Sequence, residues 1–292
     1  MRLAFSVTAL ALVAAPALAQ VDPAPPTGNT IVVTGSTDGP SRSEVYDQAR
    51  ELTRMDGRES RLYNEPLARF EAPLCPAVFG LKGKPADEIA ERIRANAQRL
   101  KARLAKANCM PNLLVVFAED GQSYLGELER KYPRLFELVD QSERTELLSG
   151  AEPVRVWSNV IPRSLVSSPA YRWKGKWHIP AHKGSVDKFF LPSRTDIDSA
   201  VVVFDKDAVI GMTALQLADY ATMRGLAHTR PADGNESLET ILGLFAEGSG
   251  GNPDQLTSFD LGYLESLYRF APNIPAVSKL LDVRKLTRQA DE

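Results

Sequence analysis

Apolar and polar positions alternate at helical spacing between residues 84 and 109. Pro85 fits the first turn of such a helix, where its missing N–H is not needed. The apolar residues that recur every three or four positions, and so fall on one face, are Ile89, Ile93, Ala97, Leu100 and Leu104. The pattern predicts a helix over 84–109.

Two apolar segments flank this helix. Residues 112–120 form a continuous apolar run between Pro111 and Gly121, which is typical of a strand buried on both faces. Residues 66–81 contain an earlier strand with candidate bends at its prolines. Strand, helix and strand in this order predict a right-handed β-α-β unit with two parallel strands.

The rest of the chain supplies further strands and helices. Residues 153–160 alternate like a half-buried strand, and 199–205 form another buried strand. Residues 161–194, rich in Ser, Pro, Lys and Trp, predict an irregular hairpin or a long surface loop. The remaining helices are expected over 43–55, 122–133, 141–150, 213–227 and 256–270, with a short apolar element over 236–245. This order predicts an α+β domain with a mixed sheet.

The helix over 213–227 has an apolar stripe at three- and four-residue spacing, which predicts a core helix next to the last buried strand. The stripe comprises Leu215, Ala218, Thr222 and Leu226. Leu215 is therefore expected to be a buried core residue.

The two ends of the chain differ in composition from the middle. Residues 1–19 have Arg2, an apolar run and a small-residue site ending at Ala19, the pattern of a cleaved secretory signal. Residues 20–42 are rich in Pro, Gly, Ser and Thr and predict a flexible leader. A single domain is expected over 43–283, with a C-terminal tail over 284–292. The mature protein is expected in the periplasm or outside the cell.

Charge and cysteine content narrow the function. The net charge of −2 gives no general attraction to nucleic acid or to anionic membranes, and no segment after the signal is apolar enough to span a bilayer. An exported chain with two cysteines is expected to pair them, here Cys75 with Cys109; two buried free thiols are the alternative. No motif for a cofactor is present, so none is expected.

The helix over 213–227 and the helix over 256–270 resemble the second half of metzincin-type zinc peptidases. In that family a helix carries H-E-x-x-H-x-x-G-x-x-H, whose three His bind zinc and whose Glu is the general base. When Gly225 and His228 are placed on the last Gly and His, Ala218 and Thr222 fall on the first two His and Asp219 on the Glu. Ala218 has no donor atom and Thr222 is a poor zinc ligand, so the resemblance implies a zincin-like domain without its zinc.

Asp219 and His228 are the candidate catalytic residues that this resemblance leaves. Asp219 and Tyr220 are also a candidate polar pair beside a cleft; alternatively, an arginine or a backbone group satisfies Asp219 within a packed helix. The three histidines of the chain, His178, His182 and His228, are the candidates for a different metal site. Unpaired surface histidines are the simpler alternative, and no metal is expected.

The segments "CPAVFGL", "CMPNLLVVF" and "QLADYATMRGLA" resemble those of a family of uncharacterised exported bacterial proteins, which implies no particular activity. We expect a non-catalytic binding or assembly domain whose partner is a protein or a cell-envelope ligand. The alternatives are a metallopeptidase-like hydrolase with an atypical site and an accessory protein linked to TonB. The last rests on residues 29–35, which resemble a TonB box, a short segment captured by strand addition.

Overall fold

In the described part of the chain, the strands form one large sheet and one small hairpin. The computed structural model describes residues 39–55, 59–150, 152–165, 171–173, 176–178, 189–246 and 253–291. The strands are β1 (Pro76–Phe79), β2 (Leu113–Ala118), β3 (Val154–Ser164), β4 (Tyr171–Trp173), β5 (Lys176–His178) and β6 (Ser193–Asp205). The helices are α1 (Arg42–Leu52), α2 (Glu59–Asn64), α3 (Lys84–Arg99), α4 (Gly121–Lys131), α5 (Gln141–Ser149), α6 (Ala214–Leu226), α7 (Ser258–Arg269) and α8 (Ala276–Asp291).

The large sheet has the strand order β1-β2-β6-β3 and mixes both directions. β1 is parallel to β2, β2 is parallel to β6, and β3 runs antiparallel along β6. The connection from β1 to β2 passes through α3. The predicted β-α-β unit and the α+β class with a mixed sheet are therefore confirmed.

Helices cover both faces of the sheet because its central strands are apolar on both sides. Along β2, Leu113, Val115 and Phe117 belong to the larger core, which α1, α3, α6, α7 and α8 complete. Val116 and Ala118 belong to a smaller core with α4, α5 and a 3-10 turn at Pro133–Phe136. The described residues from Pro40 onward form one compact unit.

The disulfide predicted from the cysteine count is confirmed. Cys75 precedes β1 and Cys109 lies shortly before β2, and their Cα atoms are 6.1 Å apart. The backbone also joins these two places, since the amide of Leu113 donates to the carbonyl of Cys75. The bridge therefore holds together the starts of two neighbouring parallel strands.

Several boundaries differ from those that the sequence predicts. α3 ends at Arg99 and not at residue 109, because the chain turns into the left-handed region at Lys101, with a φ of 58°. β3 and β6 pair far beyond the predicted strands, into 161–164 and 193–198, with a register shift at Asn159/Val160. α8 continues to Asp291, through the stretch assigned to a C-terminal tail.

The signal over 1–19, the TonB-box-like segment at 29–35 and most of the 20–42 leader lie outside the described residues. At the end of that leader, Ser41 caps α1 through the amide of Glu44. Among the described residues no helix is both long and apolar enough to cross a bilayer.

Candidate functional site

α6 follows the central strand β6 and lies in the middle of the larger core. Thr213 caps it, and the side chain of Gln216 reaches back to the amide of Thr213 to complete a capping box. Every residue from 216 to 226 is buried. Leu215 is an exception to the prediction: it lies in the first turn with 36% of its surface exposed, so it is not a core residue. Leu217, with 5% exposed, packs in the core instead.

Asp219 is fully buried and accepts four hydrogen bonds. Arg92 on α3 donates from Nε to Oδ1 at 2.7 Å and from Nη2 to Oδ2 at 2.8 Å. Asn96 donates to Oδ1 at 2.7 Å, and the backbone amide of Leu256 donates to Oδ2 at 2.9 Å. The alternative in which an arginine and a backbone group satisfy this carboxylate is confirmed.

Two positions that the zincin resemblance assigns to zinc ligands, Ala218 and Thr222, serve the same packing. Ala218 has no exposed surface, and Thr222 donates its hydroxyl to the carbonyl of Ala218 at 2.8 Å. The same hydroxyl accepts from Asn96 at 3.0 Å. Gly225 lies inside α6 against β2, where a Cβ would come within 2.5 Å of the Leu113 side chain. This face of α6 is a helix-packing surface joined by buried hydrogen bonds.

His228 lies just past the end of α6 and is half-buried. Its carbonyl accepts a hydrogen bond from the amide of Arg54. Burial, together with the positive charges of Arg54, Arg224 and Arg230, lowers the pKa of the imidazole to about 3. The ring is therefore neutral at neutral pH.

The three histidines do not come together in the described part of the chain. His178 lies on β5, where it stacks on Tyr171 at 5.3 Å and meets the edge of Trp173 at 5.8 Å. His182 lies outside the described residues. Within the ranges that the structure describes, no three His, Cys, Asp or Glu residues are grouped so that they could hold a metal ion.

A cavity of about 760 Å³ opens beside the other face of α6. Its walls come from the start of β3, from α5, from the loop at 231–233 and from the 3-10 turn at Ile241–Phe245. α6 contributes Tyr220 and Arg224 to the lining. The volume is in the range that encloses small-molecule ligands in proteins.

Arg224 is the chemically distinctive group of this cavity. Only 4% of its surface is exposed, and within the described chain no carboxylate lies at ion-pair distance from it. Nη1 donates to the hydroxyl of Tyr220 at 3.2 Å, whereas Nε is buried without a hydrogen-bond partner. Buried guanidinium groups are normally paired, so an unsatisfied one in a cavity marks a candidate anion site.

The sequence offers Asp219 and Tyr220 as a candidate polar pair beside a cleft. In the structure the two side chains lie on different faces of α6. Successive helical residues point about 100° apart. Tyr220 therefore lines the cavity while Asp219 turns towards α3. Tyr220 and Arg224 are four residues apart and so lie on the same face of α6, which is the sequence signal for this site. Spacing alone does not reveal whether an arginine has an acidic partner, so the sequence does not identify this site.

No protein-family model, curated protein or solved structure matches this chain. The zincin-like arrangement and the resemblance to exported bacterial proteins therefore stay predictions.

Proposed function

We propose that this protein is an exported, non-catalytic binding domain that holds a small ligand in the cavity between β3, α5 and α6. The observation that carries the proposal is the buried Arg224 guanidinium, which lines a ligand-sized cavity and has no carboxylate partner among the described residues. A group of this kind is costly to keep unpaired, and a bound ligand would supply its partner.

The surroundings of Asp219 support binding over catalysis on α6. A general base needs a free lone pair within reach of the substrate. The oxygens of Asp219 already accept bonds from Arg92, Asn96 and the Leu256 amide, and Asp219 has no exposed surface. These contacts favour a structural role for this carboxylate.

The disulfide supports export. Bridges such as that between Cys75 and Cys109 form and persist in oxidising compartments. Together with the signal pattern at 1–19, the bridge favours a periplasmic or extracellular location.

Retention of a small molecule tests the proposal. The purified mature protein is incubated with a low-molecular-mass extract of the bacterial envelope, separated by rapid gel filtration and then denatured. Mass spectrometry should find up to one molecule per chain with the same mass as in the extract. If the protein instead converts a component of the extract and holds about one zinc per chain tightly, the result would favour the alternative function, a metallopeptidase-like hydrolase.

A further inference from the structure

Two side-chain nitrogens in the described residues are buried without a hydrogen-bond partner, and both belong to arginines that line the cavity. They are Nε of Arg155 and Nε of Arg224. Arg155 is paired elsewhere: Nη1 donates to Asp205 at 2.9 Å and Nη2 to the carbonyl of Gly150. Arg155 lies between Val154 and Val156 on β3, and both valines belong to the larger core. Because successive side chains of a strand point to opposite faces, the Arg155 side chain faces the α4 and α5 side of the sheet. Arg224 is the one of the two that has no acidic partner in the part of the chain that the structure describes.

The surroundings of Arg224 combine one hydroxyl with apolar walls. Tyr220 places its hydroxyl 3.2 Å from Nη1, and burial raises the pKa of this phenol, which therefore keeps its proton and can donate it. Phe245 meets Tyr220 edge-on, with ring centroids 4.9 Å apart. Leu242 and Val156 add further apolar lining. The site thus offers a cation and a hydroxyl donor next to apolar surface.

The remaining charges of the cavity limit the charge of its ligand. Arg54 is paired with Glu143. Three more carboxylates also belong to the lining and are exposed: Glu146, Glu152 and Asp233. Because four carboxylates and three arginines line the cavity among the described residues, a dianionic phosphate would meet repulsion, whereas a single carboxylate needs only one guanidinium.

We propose that the cavity binds a small carboxylic acid with an apolar body, whose carboxylate accepts hydrogen bonds from Arg224 and Tyr220. A guanidinium presents two parallel N–H donors that match the two oxygens of a carboxylate. The apolar body lies against Leu242 and Phe245. This inference rests on the proposed binding function and specifies its ligand class.

Binding of matched acids and amides tests the inference. The full mature protein is titrated calorimetrically with acetate, phenylacetate, 4-phenylbutyrate and octanoate, with the corresponding primary amides, and with inorganic phosphate. At least one of the larger acids should bind about tenfold or more tightly than its amide, since a charge-assisted pair of hydrogen bonds is lost in the amide. Phosphate should bind more weakly than that acid.

Variants show which residue holds the carboxylate. Arg224→Met should abolish the difference between acid and amide, and Tyr220→Phe should weaken acid binding several-fold. Arg99→Met, which removes an exposed charge outside the cavity, should bind like the wild type. Arg224→Met should melt no lower than the wild type, because it removes a buried charge that has no carboxylate partner among the described residues. If this variant does not fold, two measurements decide whether the cavity binds a carboxylate: acid binding by Tyr220→Phe, and the ratio of the acid and amide binding constants of the wild type.

Equal binding of acids and amides, tighter binding of phosphate, or unchanged acid binding in a folded Arg224→Met variant would each overturn the inference. So would the absence of binding by every acid in the series. If the envelope extract nevertheless yields a retained molecule without a carboxylate, the binding function stands and only the ligand class is wrong. If nothing is retained and no acid binds, both proposals fail.

Discussion

Arg92 on α3 and Asp219 on α6 form an ion pair through two hydrogen bonds, of 2.7 and 2.8 Å. Asp219 has no exposed surface, while 31% of the Arg92 side chain remains exposed. The amide of Leu256 donates to the same carboxylate and attaches the segment that leads into α7. One buried carboxylate thus joins the crossover helix of the β-α-β unit, the helix after β6 and the start of α7.

This network predicts the effect of removing the charge of Asp219. Asp219→Asn places an amide NH₂ among four hydrogen-bond donors, so it should lower the free energy of unfolding by about 2–4 kcal/mol. The exposed part of Arg92 keeps the cost below that of a fully buried pair. Urea unfolding followed by circular dichroism measures the change.

The control for this substitution is Asp207→Asn, since Asp207 is exposed in a short 3-10 turn. Its effect on the free energy of unfolding should stay within about 0.5 kcal/mol. An Asp219→Asn variant as stable as the control would contradict the structural role of Asp219.

Two neighbouring leucines of α6 should respond differently to truncation. Leu217→Ala removes a buried side chain from the larger core and should cost about 2–5 kcal/mol. Leu215→Ala should cost less than about 1 kcal/mol because its side chain is partly exposed. Thermal melts of both variants test the placement of α6, and the reverse order would mean that the helix is rotated.

The parts of the fold that depend on apolar runs could be predicted from the sequence. The residues of β2 are buried on both faces, and a run of that kind has few alternatives to a central strand. By contrast, the ends of β3 and β6 are polar, and they pair through backbone hydrogen bonds that hydrophobic pattern does not report. α3 ends two residues before a left-handed residue that is not glycine, Lys101, which apolar spacing cannot anticipate.

The candidate site was predictable only in part, for a similar reason. The sequence singles out Asp219 and Tyr220 and offers an arginine as one partner for the carboxylate. That arginine, Arg92, is 127 positions away, so only the packing of α3 on α6 identifies it. That Arg224 has no acidic partner among the described residues likewise depends on long-range packing, because every neighbouring element has to be placed before this can be recognised.

Removal of the disulfide should lower the stability of the protein, but the protein should still fold. The bridge spans 34 positions, and closing a loop of this length contributes about 3–4 kcal/mol through the entropy of the unfolded chain. A Cys75→Ser, Cys109→Ser double variant should unfold at a correspondingly lower urea concentration, with similar far-ultraviolet circular dichroism. An unchanged midpoint would contradict this prediction, as would two free thiols in the denatured, unreduced wild type.

His228 should make the folded protein sensitive to acid. Its folded pKa of about 3 lies below the usual value of 6.5, so between these values the unfolded chain binds a proton that the folded chain does not. The free energy of unfolding should therefore fall as the pH decreases from about 6.5 towards 3. His228→Gln should reduce this dependence on pH across that window.

The titration of His228 can also be followed directly by NMR. Arg54→Gln should raise the pKa of the imidazole, because Arg54 is one of the positive charges that lower it. Arg50→Gln, on the exposed side of α1, is the matched control and should leave the pKa unchanged. An imidazole that titrates near 6.5 in the wild type would contradict the burial of this ring.

The central claim is that one face of α6 packs through Asp219 while the other binds a ligand through Arg224. The amount of small molecule that each folded variant retains per chain, measured by mass spectrometry after gel filtration, tests it most directly. Asp219→Asn, kept well below its melting temperature, should retain as much unaltered ligand as the wild type, and Arg224→Met should retain essentially none. Loss of retention or of a chemical activity in a folded Asp219→Asn variant, with Arg224→Met unaffected, would contradict the account.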